Sequence, residues 1–123
     1  MKSREYYASV QKAILATPHV IQIDVSFDEI SEDECYIRGV LTLNGGYQLH
    51  IAEYIVTEPK LERLKYRFHL QAPNAKMIAR WDNAPHHPKI KTHPNHLHVG
   101  EKIKASPPVD IEQVLTEVLS FIE

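Results

Sequence analysis

A period-two alternation running from Ile21 to Leu70 is the strongest constraint on how this chain can fold. Ile21, Ile23, Val25 and Phe27 alternate with Gln22, Asp24, Ser26 and Asp28. Successive side chains of an extended chain point to opposite faces, so this stretch reads as a half-buried strand with its acidic face in water. The acidic run Glu29 to Glu34 reads as the turn that follows. Cys35 to Leu43 forms a second strand with Ile37, Leu41 and Leu43 on one side. Asn44-Gly45-Gly46 is a hairpin signal, because asparagine and glycine accept positive φ. Tyr47 to Val56 then aligns Tyr47, Leu49, Ile51, Glu53 and Ile55 on one face.

Glu58-Pro59 turns the chain again. Leu64, Tyr66, Phe68 and Leu70 alternate with Arg63, Lys65, Arg67 and His69, and after Ala72 to Ala75 a fifth strand runs from Lys76 to Asp82. The shortest loops set a register with Glu53 opposite Leu64, His50 opposite Arg67, and Arg80 opposite Arg67. Two facing arginines repel unless an anion lies between them. A one-residue slip would reverse that inference, so it depends on the register.

Two amphipathic segments flank the strands. Arg4 to Ala16 carries Tyr6, Tyr7, Val10 and Ile14 at helical spacing and ends at Thr17-Pro18. Asp110 and Gln113 have the spacing of a capping box before Ile111, Val114, Leu115, Val118, Phe121 and Ile122. The expected architecture is α+β: an antiparallel five-stranded meander sheet packed against N-terminal and C-terminal helices, in one domain over residues 1–123.

Composition excludes several classes. A chain of 123 residues with 43% hydrophobic and 24% charged residues reads as an ordinary globular domain. No apolar run approaches the roughly 20 residues of a membrane helix, and Met1 to Tyr7 does not read as a signal peptide. A single cysteine, Cys35, has no internal partner, which suits a cytoplasmic location. The net charge of −2 is segregated: Asp24 to Glu34 is acidic, while Lys60 to Arg67 and then Lys89, Lys91, Lys102 and Lys104 are basic. The basic part can attract phosphate although the whole chain is slightly acidic.

Chemistry concentrates in Arg80 to Gly100, RWDNAPHHPKIKTHPNHLHVG, which holds His86, His87, His93, His96 and His98 together with Pro85, Pro88 and Pro94. Prolines stiffen such a loop, and imidazole is the side chain best suited to proton transfer near neutral pH. A solvated connector would have the same polarity, but Trp81, Ile90, Leu97 and Val99 tie this one to a core. His96-x-His98 places two rings on one side of an extended segment. Three imidazoles with Asp82 have the makings of a zinc-type site, and a divalent metal held by His86, His87, His96 or His98 stays open, although no closed structural zinc spacing is present. The other reading is metal-free cleavage of RNA through its own 2′-hydroxyl, which needs a base, an acid and cations. Histidines with Glu53, Arg80 and Arg67 suit it. Tyr66 and Trp81 would stack a base or fill the core, and their inward parity favours the core.

The same run resembles the signature of TumE-type toxins of bacterial and archaeal toxin–antitoxin pairs: Arg-aromatic-Asp-Asn-x-Pro-His-His, then Thr-aromatic-Pro-x-His-Lys-His. Arg80, Asp82, Asn83, Pro85, His86, His87, His96 and His98 match, while His93 stands for the aromatic residue and Leu97 for the lysine. The hairpin with its inward glutamate and Tyr66 to Phe68 are also similar, so the resemblance covers Val20 to Glu101. It implies a growth-inhibiting toxin paired with a DNA-binding antitoxin, and a ribonuclease activity. The roles expected are His86 or His87 and His96 or His98 as base and acid, Arg80 on the scissile phosphate, Asp82 orienting an imidazole, Glu53 as a further catalytic residue, and Arg67, Tyr66, Lys91 and Asn83 contacting substrate. No cofactor is expected beyond the metal alternative, and the residues leave a homodimer open.

Overall fold

Tyr6, Val10 and Ile14 make one buried stripe on helix α1 (Ser3–Leu15), as the 3.6-residue period requires. The computed structural model describes residues 1–122 and continues with strands β1 (Val20–Ser31), β2 (Glu34–Leu43), β3 (Gln48–Val56), β4 (Glu62–Gln71), β5 (Met77–Asp82), β6 (His96–Val99) and β7 (Lys102–Ala105). Helix α2 (Ile111–Glu117) and a 3-10 turn at Val118–Ser120 complete it. The strands pair antiparallel in sequence order, an unbroken meander with both helices on one face.

The sheet therefore has seven strands where five were expected. The C-terminal end of the histidine segment and the polar connector after it, HLHV and KIKA, pair as β6 and β7. Their shortness and polarity hid them: only Leu97 of β6 packs against the core, and β7 is exposed along its length. The acidic turn is also shorter than expected. β1 continues to Ser31 and the turn is Glu32-Asp33, with Arg4 on Glu29, Arg38 on Asp28 and Lys2 on Glu32 pairing the exposed acids. Ile21 and Ile23 stay exposed on this edge strand, so its apolar face is covered only at Val25 and Phe27.

Both expected registers slip by two residues. Glu53 faces Tyr66, not Leu64; His50 faces His69; and Arg80 faces His69 while Arg67 faces Asp82. A slip of two leaves side chains on their assigned faces, except at Leu64, expected inward but 46% exposed, and Arg63, where a bulge interrupts the alternation. No pair of arginines is set directly opposite, so the anion that such a pair would have demanded is not required by the register. A bulge between Tyr54 and Ile55 turns Arg63 towards the helices, where it donates to the Val109 carbonyl and covers the Tyr66 ring, while Lys65 and Arg67 stay exposed.

The core lies between sheet and helices. Phe68 and Trp81 face each other across β4 and β5, both almost fully buried, and Phe121 meets Trp81 edge to face at 6.0 Å. Each such side chain contributes about 1.5–3 kcal/mol by burial. Asp110 accepts from the Gln113 backbone N–H at 2.8 Å and the Gln113 side chain accepts from the Asp110 N–H at 2.9 Å, so the capping box opens α2 as its spacing predicts. Gly45 and Gly46 take φ of 82° and 84° in the β2–β3 turn, the conformation for which glycine suits that hairpin. Cys35 is buried on β2, and burial pushes its thiol up, which leaves it a packing residue. No helix among the described residues is long and apolar enough to cross a membrane.

Candidate active site

The face of the sheet turned away from the helices carries two cross-strand rows. His50, His69, Arg80 and His98 are successive partners on β3 to β6, and Ala52, Arg67, Asp82 and His96 form the row beside them. Facing side chains on paired strands start about 4.5–5.5 Å apart, so each row is a continuous strip of polar groups on a rigid floor.

Asp82 organises one end. It is 5% exposed, accepts from Arg80 Nε at 2.9 Å and from the Ala84 N–H at 3.0 Å, and has His96 Nε2 at 3.0 Å. His96 is 2% exposed, and its Nδ1 donates to the Pro94 carbonyl at 2.9 Å. A lone pair on Nε2 would face a carboxylate oxygen, whereas an N–H faces it favourably; protons on both nitrogens satisfy both neighbours. His96 is thereby held between a buried carboxylate and a backbone carbonyl. The arrangement gives it a positioning task and leaves no nitrogen free to take a proton.

His98 differs. Its Nε2 lies 3.0 Å from an Arg80 terminal nitrogen, and a guanidinium can only donate, so this nitrogen accepts and the ring is neutral. Burial is the main reason its pKa is held below the ordinary 6.5, with the Arg80 and His96 charges adding and Asp82 opposing. His87 comes in from the loop and meets both rings at steep angles, with centroids 5.0 Å from His96 and 5.5 Å from His98. The loop is held by a succession of turns, among them Ile90 N–H to His87 carbonyl and Asn95 N–H to Thr92 carbonyl, and by the Thr92 hydroxyl, which accepts from Ser106 N–H.

Nitrogens of His87, His96 and His98 lie within 4.8 Å of one another, close enough for these three to hold a metal ion. Such an ion would have to take His96 away from Asp82 or Pro94, and His98 Nε2 away from Arg80. As the side chains stand, these nitrogens are engaged by protein neighbours.

The remaining expected residues fall elsewhere. His86 is exposed on the loop and does not join the three rings, because adjacent residues cannot both face the cluster; Lys91 is likewise exposed on the loop. Asn83 accepts from the Tyr66 N–H and donates to the Leu64 carbonyl, extending the β4 ladder where β5 ends. Tyr66 is buried, donates its hydroxyl to Asn95 at 2.8 Å, and has its phenol pushed up to about 12, chiefly by burial. Trp81 is in the core, so neither aromatic is free to stack a base. His50, His69 and Asn95 were not singled out from the sequence. The outward parity of His50 and His69 on the predicted strands was the available signal.

Glu53 sits on the opposite, helix-covered face, 1% exposed, and accepts from the Tyr6 hydroxyl at 2.7 Å. Burial raises its pKa, against the lowering effects of the Tyr6 hydrogen bond and of Arg63. The folded state therefore keeps a proton that the unfolded state releases, and stability falls as pH rises above the ordinary 4.5. In Glu53→Gln the amide oxygen still accepts from Tyr6 and no charge is buried. Melting temperatures against pH should show that decline removed and a variant at least as stable as wild type at pH 7; a steeper decline in the variant would contradict this reading.

A family model described as Toxin TumE matches residues 10–123, nearly the whole chain. Neither a curated relative nor a solved structure matches it. With the family model extending from α1 through the histidine cluster to the last helix, the chain belongs to the TumE toxin family.

Proposed function

We propose that the toxin acts by cutting RNA at the open-face cluster, without a metal, by imidazole acid–base catalysis. The observation that carries this is the pairing of unlike imidazoles: His98 neutral with an accepting nitrogen, His96 fixed against Asp82, and the partly exposed His87 across from both. Pushing neighbouring titratable groups into different protonation states is how one site supplies both an acid and a base.

In this scheme Arg80 turns its free guanidinium nitrogens to the scissile phosphate, and the substrate 2′-hydroxyl takes its place on His98 Nε2. His98 removes the hydroxyl proton, the 2′-oxygen attacks phosphorus, the bond to the 5′-oxygen breaks, and His87 donates a proton to that leaving oxygen. The products are a 2′,3′-cyclic phosphate and a 5′-hydroxyl. Charge building on the phosphorane is met by Arg80. Glu53, Tyr66 and Asn83 support the scaffold. A cognate antitoxin, the partner expected for this family, would neutralise the protein most simply by covering the same face.

The test is cleavage of a single-stranded RNA from pH 5 to 9, with and without chelator. Activity should survive chelator, and its acidic limb should fall below 6.5, because the base keeps its free nitrogen to lower pH than an ordinary imidazole. Activity lost with chelator and restored by zinc or manganese would replace this scheme with a metal-centred one at His87, His96 and His98.

A further inference from the structure

The polar rows do not end at the catalytic cluster. Further along the open face, between β3 and β4, a depression of about 290 Å³ is lined by His50, Ile51, Ala52, Arg67, His69 and Gln71. His50 and His69 face each other across the strands with rings edge to face at 5.9 Å. His50 Nε2 and His69 Nδ1 are buried ring nitrogens with no hydrogen-bond partner among the described residues. Buried polar atoms are usually paired, so two orphans in one depression call for a ligand that pairs them.

Arg67 supplies the charge. It faces Asp82 in the register, yet Asp82 is already occupied by Arg80 and His96, and Arg67 makes no ion pair among the described residues. An exposed guanidinium on a rigid strand beside a carboxylate committed elsewhere is placed for an anion from outside. Arg80 faces His69 and thus lies between this depression and His98. Strands are spaced about 4.7–4.9 Å apart, so β4 and β6 lie about 9–10 Å apart, one to two nucleotide steps of an extended strand.

We propose that this depression is a second phosphate subsite, which holds the nucleotide flanking the cleaved linkage of a single-stranded RNA. Arg67 takes the phosphate oxygens, and His50 and His69 donate to them from their unpartnered ring nitrogens. A neutral imidazole still carries one N–H, which can sit on the nitrogen that faces the phosphate. The identity of the ligand as RNA rests on the proposed function; the existence of an anion subsite rests on these residues. The substrate is accordingly a strand of at least three nucleotides, and the protein should favour it over a dinucleotide.

The probes are 2′-O-methyl uridine oligomers of two and four nucleotides, which cannot be cut through their 2′-oxygens, with binding followed by calorimetry. Wild type should bind the tetramer about tenfold or more tightly than the dimer, the effect of one further charge-assisted contact. In Arg67→Ala, and separately in His50→Ala/His69→Ala, that ratio should fall towards one, and the tetramer should broaden or shift the His50 and His69 ring resonances of wild type. Equal affinity for the two oligomers, no binding of either, or an unchanged ratio in both variants overturns the subsite. Tight, length-dependent binding by a wild type that leaves unmodified RNA intact would instead overturn the hydrolytic reading and leave the subsite standing.

Discussion

His98→Ala is expected to lower RNA cleavage by about 10²- to 10⁴-fold, the usual loss when a general base is removed. The ring lies on the open face, with its side chain 13% exposed, outside the packed layer between sheet and helices, so the fold should persist. In the proposed scheme this histidine is the sensitive one, because of the two imidazoles on β6 it is the one whose nitrogen faces a donor. Single-turnover cleavage and a thermal melt on the same preparation check both halves. A variant that folds and cuts within a few-fold of wild type removes His98 from the mechanism.

The second large effect falls on stability. Asp82→Ala takes a buried carboxylate from beneath Arg80 and His96 and leaves the guanidinium without its counter-charge and the imidazole without its partner. Breaking a buried pair in this way costs about 3–5 kcal/mol, a large share of the roughly 5–15 kcal/mol that holds a typical domain together. Removing the orphaned buried imidazole as well should recover part of the loss, so Asp82→Ala/His96→Ala should be less destabilised than the sum of the two single variants. Urea denaturation of the four proteins closes the cycle. A loss below about 1 kcal/mol for Asp82→Ala, or strict additivity, would show that the three groups are not the tight unit their distances describe.

Most faces of β1 to β5 were legible from the sequence because alternation has a period of two and the register errors were also of two residues; Arg63 and Leu64 are the exception, since the bulge turns Arg63 inward and leaves Leu64 46% exposed. Glu53 was correctly placed inward and Arg80 outward, and His96 and His98 were expected on one side of an extended segment; pairing with β5 sets them on the face of Arg80 and Asp82. That same parity separates Glu53 from the cluster, so grouping it with the histidines on chemistry alone overlooked what the alternation already implied. His96-x-His98 kept its rings on one side because the segment is a strand, not a loop. β6 and β7 escaped notice since four polar-rich residues carry too little apolar pattern to declare a strand; only pairing with β5 makes them one. The choice between His86 and His87 was also beyond the sequence. It depends on how the chain rotates after Asn83, which the Asn83 contacts to β4 help to fix.

The division of labour between the strand histidines comes from contacts no spacing reveals. Pro94 and Asp82 occupy both nitrogens of His96, whereas Arg80 leaves His98 an acceptor. Two residues apart on one strand, the same side chain is enclosed by two acceptors in one place and faces a donor in the other.

The most direct test is the chemistry of the ends produced when purified wild-type protein cuts a defined single-stranded RNA in the presence of chelator. Attack by the 2′-oxygen predicts a 2′,3′-cyclic phosphate on one fragment and a 5′-hydroxyl on the other, with no cut at a nucleotide that lacks the 2′-hydroxyl. Fragments with a 5′-phosphate and a 3′-hydroxyl, or cleavage of the 2′-deoxy linkage, would mean that water is the nucleophile and would contradict the assignment of His98 as the base for an internal attack.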